Sequence, residues 1–212
     1  MSKILVLLTG LNRTKKSYQR LIDQTPKGWE MYVLSYQQLM PNGDIKACEK
    51  IISNFLKSHH LKKIYLAGHS LGGGLAIKFA SEHPESVEKL YLINSIGVYK
   101  KENSIKALSN FLMTHLISKV NLAENIQAIV RILKRPNYHL SLSRFVRTIN
   151  LENEAKNIKV PTILTWGAKD FIVPLWKGEK LHSLIKNSKL IVLEGMDHDW
   201  ILHSPELFWN NI

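Results

Sequence analysis

One serine stands between two glycines in the run Gly68-His69-Ser70-Leu71-Gly72, which follows an apolar segment and precedes a helical pattern. A strand that turns straight into a helix crowds the positions two before and two after its central residue, and only glycine fits there. The turn lifts the serine hydroxyl clear of the backbone at the carboxyl end of its strand. The spacing predicts that Ser70 is a nucleophile and that Gly68 and Gly72 form its turn.

The same glycines are also compatible with a helix start that has no chemical role, or with a phosphate-binding loop. A phosphate loop is excluded because the turn has neither the G-x-G-x-x-G pattern nor a Gly-Lys-Ser/Thr ending. Three consecutive glycines, residues 72–74, would each cost up to about 1 kcal/mol inside a helix, which favours a close backbone approach as their reason.

The candidates for a base and an acid lie downstream of Ser70. A serine hydroxyl needs a base to take its proton and a third group to orient that base. Asp170 and His198 each follow an apolar segment, as Ser70 does. Because the carboxyl ends of parallel strands meet at one edge of a sheet, the three side chains are expected to converge there. The sequence therefore predicts a catalytic triad of Ser70, Asp170 and His198.

Several other polar residues are weaker candidates. His69 precedes the nucleophile, and its side chain should point away from it. Asp197 and Asp199 flank the histidine and fit surface charges, with Asp199 the main rival for the acid. Asn94 ends a strand at which a variant triad would need a carboxylate. The sequence has no H-E-x-x-H motif and no Cys/His cluster, so we expect neither a metal nor another cofactor.

Acyl transfer also needs fixed donors for the oxyanion of its transition state. The backbone N–H of Leu71, at the start of the helix, is the first candidate. The second is the N–H of Leu11, in the loop Thr9-Gly10-Leu11-Asn12 after the first apolar segment, where Gly10 permits a close approach. An ordinary glycine turn would have the same spacing, so that alternative stays open.

Six short apolar segments with intervening helical patterns position these residues. Continuous apolar runs of this length are typical of strands buried on both faces, and their alternation with helices predicts βαβ units. We therefore expect an α/β fold of three layers, with a mostly parallel sheet of about six strands and helices on both faces. The expected strands are residues 3–9, 31–35, 63–67, 90–94, 162–166 and 189–193.

The alternation stops between residues 99 and 156, where no strand is evident and three helices are expected. The second of these should close at Pro136, and the third should follow over residues 140–149. Residues 1–98 and 157–212 then form the core, and residues 99–156 a helical lid, although plain core helices are the alternative. Phe111 and Leu112 belong to an apolar stripe that is expected to wall a substrate pocket.

Three motifs follow one another along the chain: Gly68-His69-Ser70-Leu71-Gly72, residues 166–170 and residues 195–198. With these motifs in this order, the chain resembles the α/β-hydrolase superfamily, in its small esterase-like branch, over essentially all 212 residues. The resemblance implies hydrolysis of a carboxylic ester through an acyl-enzyme on Ser70. The chain departs from the family in having Thr9 where a histidine usually precedes Gly10. It also lacks the two strands that usually come first, which implies a reduced sheet of six.

The composition narrows the function classes. The net charge is +12, but only six of the 29 basic residues are Arg, and the Lys residues are scattered, so nucleic-acid binding is not expected. No signal peptide or transmembrane segment is expected, and the single Cys48 fits a reducing compartment, so we predict a cytoplasmic protein. Residues 99–156 carry ten basic and four acidic residues, which leaves weak contact with an anionic membrane surface open.

The leading interpretation is an enzyme that acts on a small-molecule ester with a short to medium apolar acyl group. The same triad could hydrolyse a thioester, an amide or a carbon–carbon bond, since a fold does not determine a substrate. A non-catalytic binding protein of hydrolase-like fold is a further alternative. The sequence predicts no particular oligomeric state.

Overall fold

The structure, a computed structural model, describes residues 2–100 and 122–212, with the backbone alone for residues 122–125. Phe111 and Leu112, which the sequence predicts to line the substrate pocket, lie outside the described residues. No helix within the described ranges is long and apolar enough to cross a membrane.

Six parallel strands form one sheet in the order β2-β1-β3-β4-β5-β6. The predicted α/β fold with six strands is confirmed, and every expected apolar segment is a strand. The strands are β1 (Lys3–Leu8), β2 (Trp29–Leu34), β3 (Ile64–His69), β4 (Val87–Ile93), β5 (Thr162–Gly167) and β6 (Ser188–Leu193).

Helices connect the strands and cover both faces of the sheet. In α3, for example, Cys48, Ile52 and Leu56 are buried at helical spacing. The helices are α1 (Gln19–Asp23), α2 (Tyr36–Leu39), α3 (Lys46–Ser58), α4 (Leu71–Glu82), α5 (Leu122–Lys134), α6 (Pro136–Thr148), α7 (Glu152–Asn157), α8 (Leu175–Leu184), α9 (Trp200–His203) and α10 (Glu206–Trp209), with 3₁₀ turns at Lys15–Tyr18 and Pro84–Ser86.

The core consists of two clusters, one on each face of the sheet. In β1, Val6 and Leu8 belong to the larger cluster, whereas Leu5 and Leu7 belong to the smaller one, and all four are fully buried. Alternate side chains of a strand point to opposite faces, so a strand covered on both sides must be apolar throughout. This is why continuous apolar segments identified the strands.

The strand order reverses at β1. From β1 the chain goes to β2 on one side and then returns to β3 on the other, so a crevice opens between the carboxyl ends of β1 and β3. Open α/β sheets bind ligands at such a switch point. The turn with Ser70 follows β3, and the loop with Leu11 follows β1, so both lie at this crevice.

The described part of the predicted lid, residues 99–156, includes α5, α6 and most of α7. The chain breaks at Pro136 as expected, but α6 begins at this residue rather than at residue 140, because proline suits the first turn of a helix. Leu142 of α6 is fully buried in the larger core cluster, and the Tyr138 hydroxyl donates to the Met40 carbonyl at 2.8 Å. On α5, by contrast, Leu133 is 73% exposed. The inserted segment therefore shares the core through α6.

Candidate active site

Ser70 occupies the turn between β3 and α4 and has a strained backbone, with φ of 54° and ψ of −115°. Such strain at a non-glycine residue persists only where the surroundings enforce it. Here the Ser70 N–H donates to the carbonyl of Ile93 at 2.9 Å, and the Ser70 carbonyl accepts from the N–H of Gly73 and of Ile96. The residue is 7% exposed.

The glycines around Ser70 allow the backbone segments to approach closely. A Cβ at Gly68 would overlap the carbonyl of Gly72, and a Cβ at Gly72 would overlap the carbonyl of Leu8 in β1. Within the described residues, the N–H of Leu71 has no hydrogen-bond acceptor. The start of α4 is thus held against β1, and the Leu71 N–H is available as a donor beside Ser70.

Asp170 and His198 are joined by a buried hydrogen bond. His198 donates from Nδ1 to Oδ2 of Asp170 at 2.7 Å, and both residues are at most 5% exposed. The other oxygen of Asp170 accepts from the N–H groups of Ile172 and Val173, each at 2.8 Å. Burial lowers the pKa of His198, but the adjacent Asp170 outweighs it and holds the pKa above its ordinary value of 6.5.

Ser70 and His198 emerge at the same edge of the sheet, from β3 and after β6. The Ser70 hydroxyl makes no hydrogen bond to any described residue. In free enzymes the bond between nucleophile and base is often long and tightens only when substrate binds. The arrangement leaves Nε2 of His198 free to act as a base, because its Nδ1 is occupied by Asp170.

His69 is buried and carries a hydrogen-bond chain rather than a catalytic role. Burial, and after it the neighbouring His198, lower its pKa to about 4, so the ring is neutral at ordinary pH. Its Nε2 lies 3.0 Å from the His198 carbonyl, which can only accept, so Nε2 carries the hydrogen. Nδ1 therefore accepts from the Tyr18 hydroxyl at 2.8 Å, and that oxygen accepts from the N–H of Gly10.

Asp199 is not a surface charge. The residue is 4% exposed, and its carboxylate forms a two-pronged ion pair with Arg13, at 2.7 Å from Nη2 and 3.3 Å from Nε. Burial would raise the pKa of Asp199, but Arg13 and then His198 lower it to about 2. Asp199 is thus committed to Arg13, whereas Asp170 is the carboxylate bonded to the His198 ring.

The predicted oxyanion loop, residues 9–13, follows β1 and is called the oxyanion loop below. A Cβ at Gly10 would lie 3.3 Å from the Cβ of Ser70, so this loop packs directly against the predicted nucleophile. The N–H of Arg13 bonds the Gly10 carbonyl, and Asn12 has a φ of 61°. Among the described residues the N–H of Leu11 has no acceptor, which suits the predicted second oxyanion donor.

A cavity of about 370 Å³ opens between the oxyanion loop and the two inserted helices. The Arg131 guanidinium of α5 donates to the Asn12 carbonyl at 2.7 Å and so connects the inserted helices to the oxyanion loop. The cavity is lined by Asn12, Ile132, Pro136, Asn137, His139, Leu140 and Ser143.

Potential metal ligands lie far from this site. Within the described ranges, Glu49, Glu82 and His83 are the only His, Cys, Asp or Glu side chains grouped closely enough to hold an ion. Glu82 ends α4, whereas Ser70 precedes it, which separates the two by about 18 Å along the helix. None of the predicted site residues belongs to this group.

Four residues of this site were not predicted from the sequence. Arg13, Tyr18 and Trp200, whose indole donates to the Asn94 side-chain carbonyl, act through partners remote in the chain, and no local pattern indicates them. Asn94 was considered only as a missing carboxylate, yet its side-chain nitrogen donates to Oδ2 of Asp170. Its position at the end of a strand was the available signal.

The fold and this site define an α/β hydrolase. The chain belongs to the serine aminopeptidase S33 family, whose model matches residues 25–205. The match leaves out β1 and the oxyanion loop.

The individual proteins that this chain resembles share about a quarter of its residues or fewer. The uncharacterized hydrolase YugF of Bacillus subtilis is 25% identical over 205 residues, covering 85% of this chain and 72% of YugF. Lipase 1 of Psychrobacter immobilis is 23% identical, covering 92% of this chain and 70% of the lipase. A crystal structure of a bacterial membrane phospholipase A superposes with a TM-score of 0.79 at 21% identity, covering 99% of this chain and 76% of that one.

Proposed function

We propose that this hydrolase cleaves carboxylic esters through an acyl-enzyme on Ser70, with His198 as base and Asp170 as the orienting acid. The observation that carries the proposal is the buried Asp170–His198 hydrogen bond at the same edge of the sheet as the strained Ser70 turn. The similarity to Lipase 1 supports an ester as the bond that is cleaved.

The reaction follows from the positions of the donors and acceptors. Nε2 of His198 takes the Ser70 proton as the hydroxyl oxygen attacks the ester carbonyl, and Asp170 stabilises the resulting imidazolium. The N–H groups of Leu71 and Leu11 stabilise the oxyanion. His198 then protonates the departing alcohol, which leaves an acyl group on Ser70. A water molecule, activated by His198 in the same way, releases the acid.

The substrate proposed is an ester with a short to medium apolar acyl group. Phe171 and Ile172, which directly follow Asp170, are 38% and 36% exposed, so apolar surface lies beside the site. Residues 99–156 are proposed as a lid, with Phe111 and Leu112 on the wall of the pocket. The contact between Arg131 and the Asn12 carbonyl supports this placement of the lid. We further propose a cytoplasmic location, for which the buried free thiol of Cys48 is the support.

Amide hydrolysis is a second candidate because the family is described as serine aminopeptidases. An aminopeptidase must bind the ammonium group of its substrate, which favours an available carboxylate near the serine. The carboxylate bonded to the predicted base and the two that flank it in the sequence are each paired: Asp170 with His198, Asp197 with His203 and Asp199 with Arg13. This pairing favours the ester over the free amino terminus of a peptide.

The decisive experiment measures turnover of p-nitrophenyl esters of graded acyl length and of aminoacyl p-nitroanilides. We expect ester turnover that Ser70→Ala lowers by several orders of magnitude, that a chelator leaves unchanged, and that exceeds anilide turnover. A fluorophosphonate should label Ser70 alone. Ser183→Ala, at an exposed serine of α8, is the matched control and should keep full activity. Near-normal turnover by Ser70→Ala would contradict the proposal.

A further inference from the structure

Two connections join the oxyanion loop to the histidine loop, residues 194–199. The first is the ion pair of Arg13 with Asp199, which lie 186 residues apart in the sequence. The second is the chain from the Gly10 N–H through Tyr18 and His69 to the carbonyl of His198. Each connection runs from a loop that carries a predicted oxyanion donor to a loop that carries the predicted base.

The ion pair is placed where stability alone does not explain it. The side chains of Arg13 and Asp199 are 13% and 5% exposed, so both charges are largely removed from water. A buried ion pair is often no more stabilising than apolar residues of similar volume. Asp199 directly follows His198, and Arg13 lies two residues after Leu11. A pair of charges at this location is therefore suited to setting the geometry of both loops.

The ion pair differs from the neutral chain in what it fixes. The His69 chain fixes the backbone carbonyl of His198 and the N–H of Gly10. The guanidinium, held at two nitrogens, fixes the end of the oxyanion loop and its orientation as well. Between these two ends, two further hydrogen bonds hold the loop: the Arg131 guanidinium donates to the Asn12 carbonyl, and the Arg13 N–H donates to the Gly10 carbonyl.

We propose that Arg13 and Asp199 are positioning residues that hold the oxyanion loop at a set position relative to His198, and so act on turnover rather than on substrate binding. The inference rests on the proposed function. It assigns a role to Arg13, which lies outside residues 25–205 that the family model matches, and to Asp199, which lies inside them. Neither side chain touches the reacting atoms in this role.

The charges also act on the base itself. The groups that face His198 are Asp170, Asp199, Arg13 and His69. Asp199 raises the pKa of His198 and Arg13 lowers it, whereas His69 stays neutral. Removing one charge of the pair leaves the other uncompensated beside His198. The two single substitutions should therefore move the pKa of His198 in opposite directions. Opposite shifts would show that both charges act on the base, whereas a low kcat in a variant whose charges cancel would show the positioning role.

The test compares Asp199→Asn, Arg13→Met, Arg13→Lys and the double variant Arg13→Met/Asp199→Leu, each corrected by phosphonate titration for the fraction of intact sites. We expect kcat to fall by about 10–100-fold with little change in KM. The acid limb of kcat/KM should move down by roughly one pH unit in Asp199→Asn and up by a similar amount in Arg13→Met. Arg13→Lys should leave the limb in place and recover part of kcat.

The double variant separates position from charge and guards against misfolding of the single variants. Its limb should return to the wild-type position while kcat stays low, because the charges cancel but the connection is lost. Glu88→Gln, which breaks the exposed Lys63–Glu88 ion pair, is the matched control and should change neither quantity. A double variant with kcat within twofold of wild type, or single variants whose limbs move in the same direction, would overturn the proposal.

A second readout does not depend on ester turnover. The ring protons of His198, assigned with His198→Gln, report its pKa by NMR in the wild type and in each variant. If the wild type hydrolyses no ester, the proposed function fails, but opposite NMR shifts would still support the coupling. Equal or absent shifts would reject it.

Discussion

The side-chain nitrogen of Asn94 donates a hydrogen bond to Oδ2 of Asp170, the same oxygen that accepts from the ring of His198. The Asn94 carbonyl oxygen in turn accepts from the indole of Trp200 at 2.7 Å and from the N–H of Gly167 at 3.3 Å. These contacts fix which end of the amide faces Asp170. Asn94 follows β4, Gly167 ends β5 and Trp200 begins α9. Asn94 thereby connects β4 and β5 with the helix that follows the predicted base.

Asn94→Asp tests this contact with almost no change in shape. The new carboxylate keeps both acceptor contacts but replaces the donor by a repulsive charge, so kcat/KM should fall by about 10–100-fold. The added negative charge should also raise the pKa of His198 and move the acid limb to higher pH. A pH–rate series measures both effects, with Asn187→Asp, at an exposed position, as the control. Unchanged activity would show that the contact has no catalytic consequence.

Asp170→Asn and Asp199→Asn should differ strongly in their effect. Asp170 stabilises the imidazolium form of His198, so its amide variant should lose about 10⁴-fold in kcat. Asp199 acts through Arg13, and its loss should be smaller by at least tenfold. Steady-state kinetics on one ester substrate decides the ranking. The reverse order would assign the acid to Asp199 and leave Ser70 and His198 in their roles.

The pH profile should have a single acid limb with an apparent pKa above 6.5. In the proposed mechanism only deprotonated His198 accepts the serine proton. Its pKa is raised, so activity should be lost as the pH falls through that higher value. His69, with a pKa of about 4, stays neutral over this range. In rates measured between pH 5 and pH 9, the logarithm of the rate should therefore fall with a slope of one as the pH drops below this pKa. A slope of two would mean that a second group titrates with the base.

Gly72→Ala should destabilise the fold through contact rather than conformation. The added Cβ would overlap the carbonyls of Leu8 and Thr9, at a cost of about 3 kcal/mol or more. Gly28→Ala is the matched comparison, since its φ of +87° is strained for alanine but no atom lies within 4 Å of the new Cβ. That strain should cost about 1–2 kcal/mol. Denaturant unfolding measures the free energy of unfolding of both variants. Equal losses of stability would contradict the close-approach argument.

Phe111→Ala and Leu112→Ala test the predicted lid. Each buried methylene of an acyl chain contributes about 0.8 kcal/mol, so a smaller pocket wall should move the preferred acyl length while acetate esters are less affected. The length profile of p-nitrophenyl ester turnover measures this, with Val192→Ala on the edge strand as the control. Loss of stability with an unmoved profile would mean that these residues belong to the core.

The sequence was sufficient for the sheet because a strand buried on both faces must be apolar along its length, as β1 is. The Ser70 turn was also predictable, because its constraint is local and leaves glycines at fixed spacing. The expectation that Asp199 is a surface charge was wrong, since its partner Arg13 lies at the other end of the chain and no local pattern indicates such a pairing. The donor role of Asn94 was missed for the same reason.

The strand order also dictates when, during synthesis, the chain can acquire its chemistry. A domain generally folds as a unit, and its amino-terminal part is synthesised first. Strands β1 to β4 and the turn of Ser70 are made before β5 and the edge strand β6, which Asp170 and His198 follow. A growing polypeptide therefore cannot complete the proposed triad until its final strand has been made.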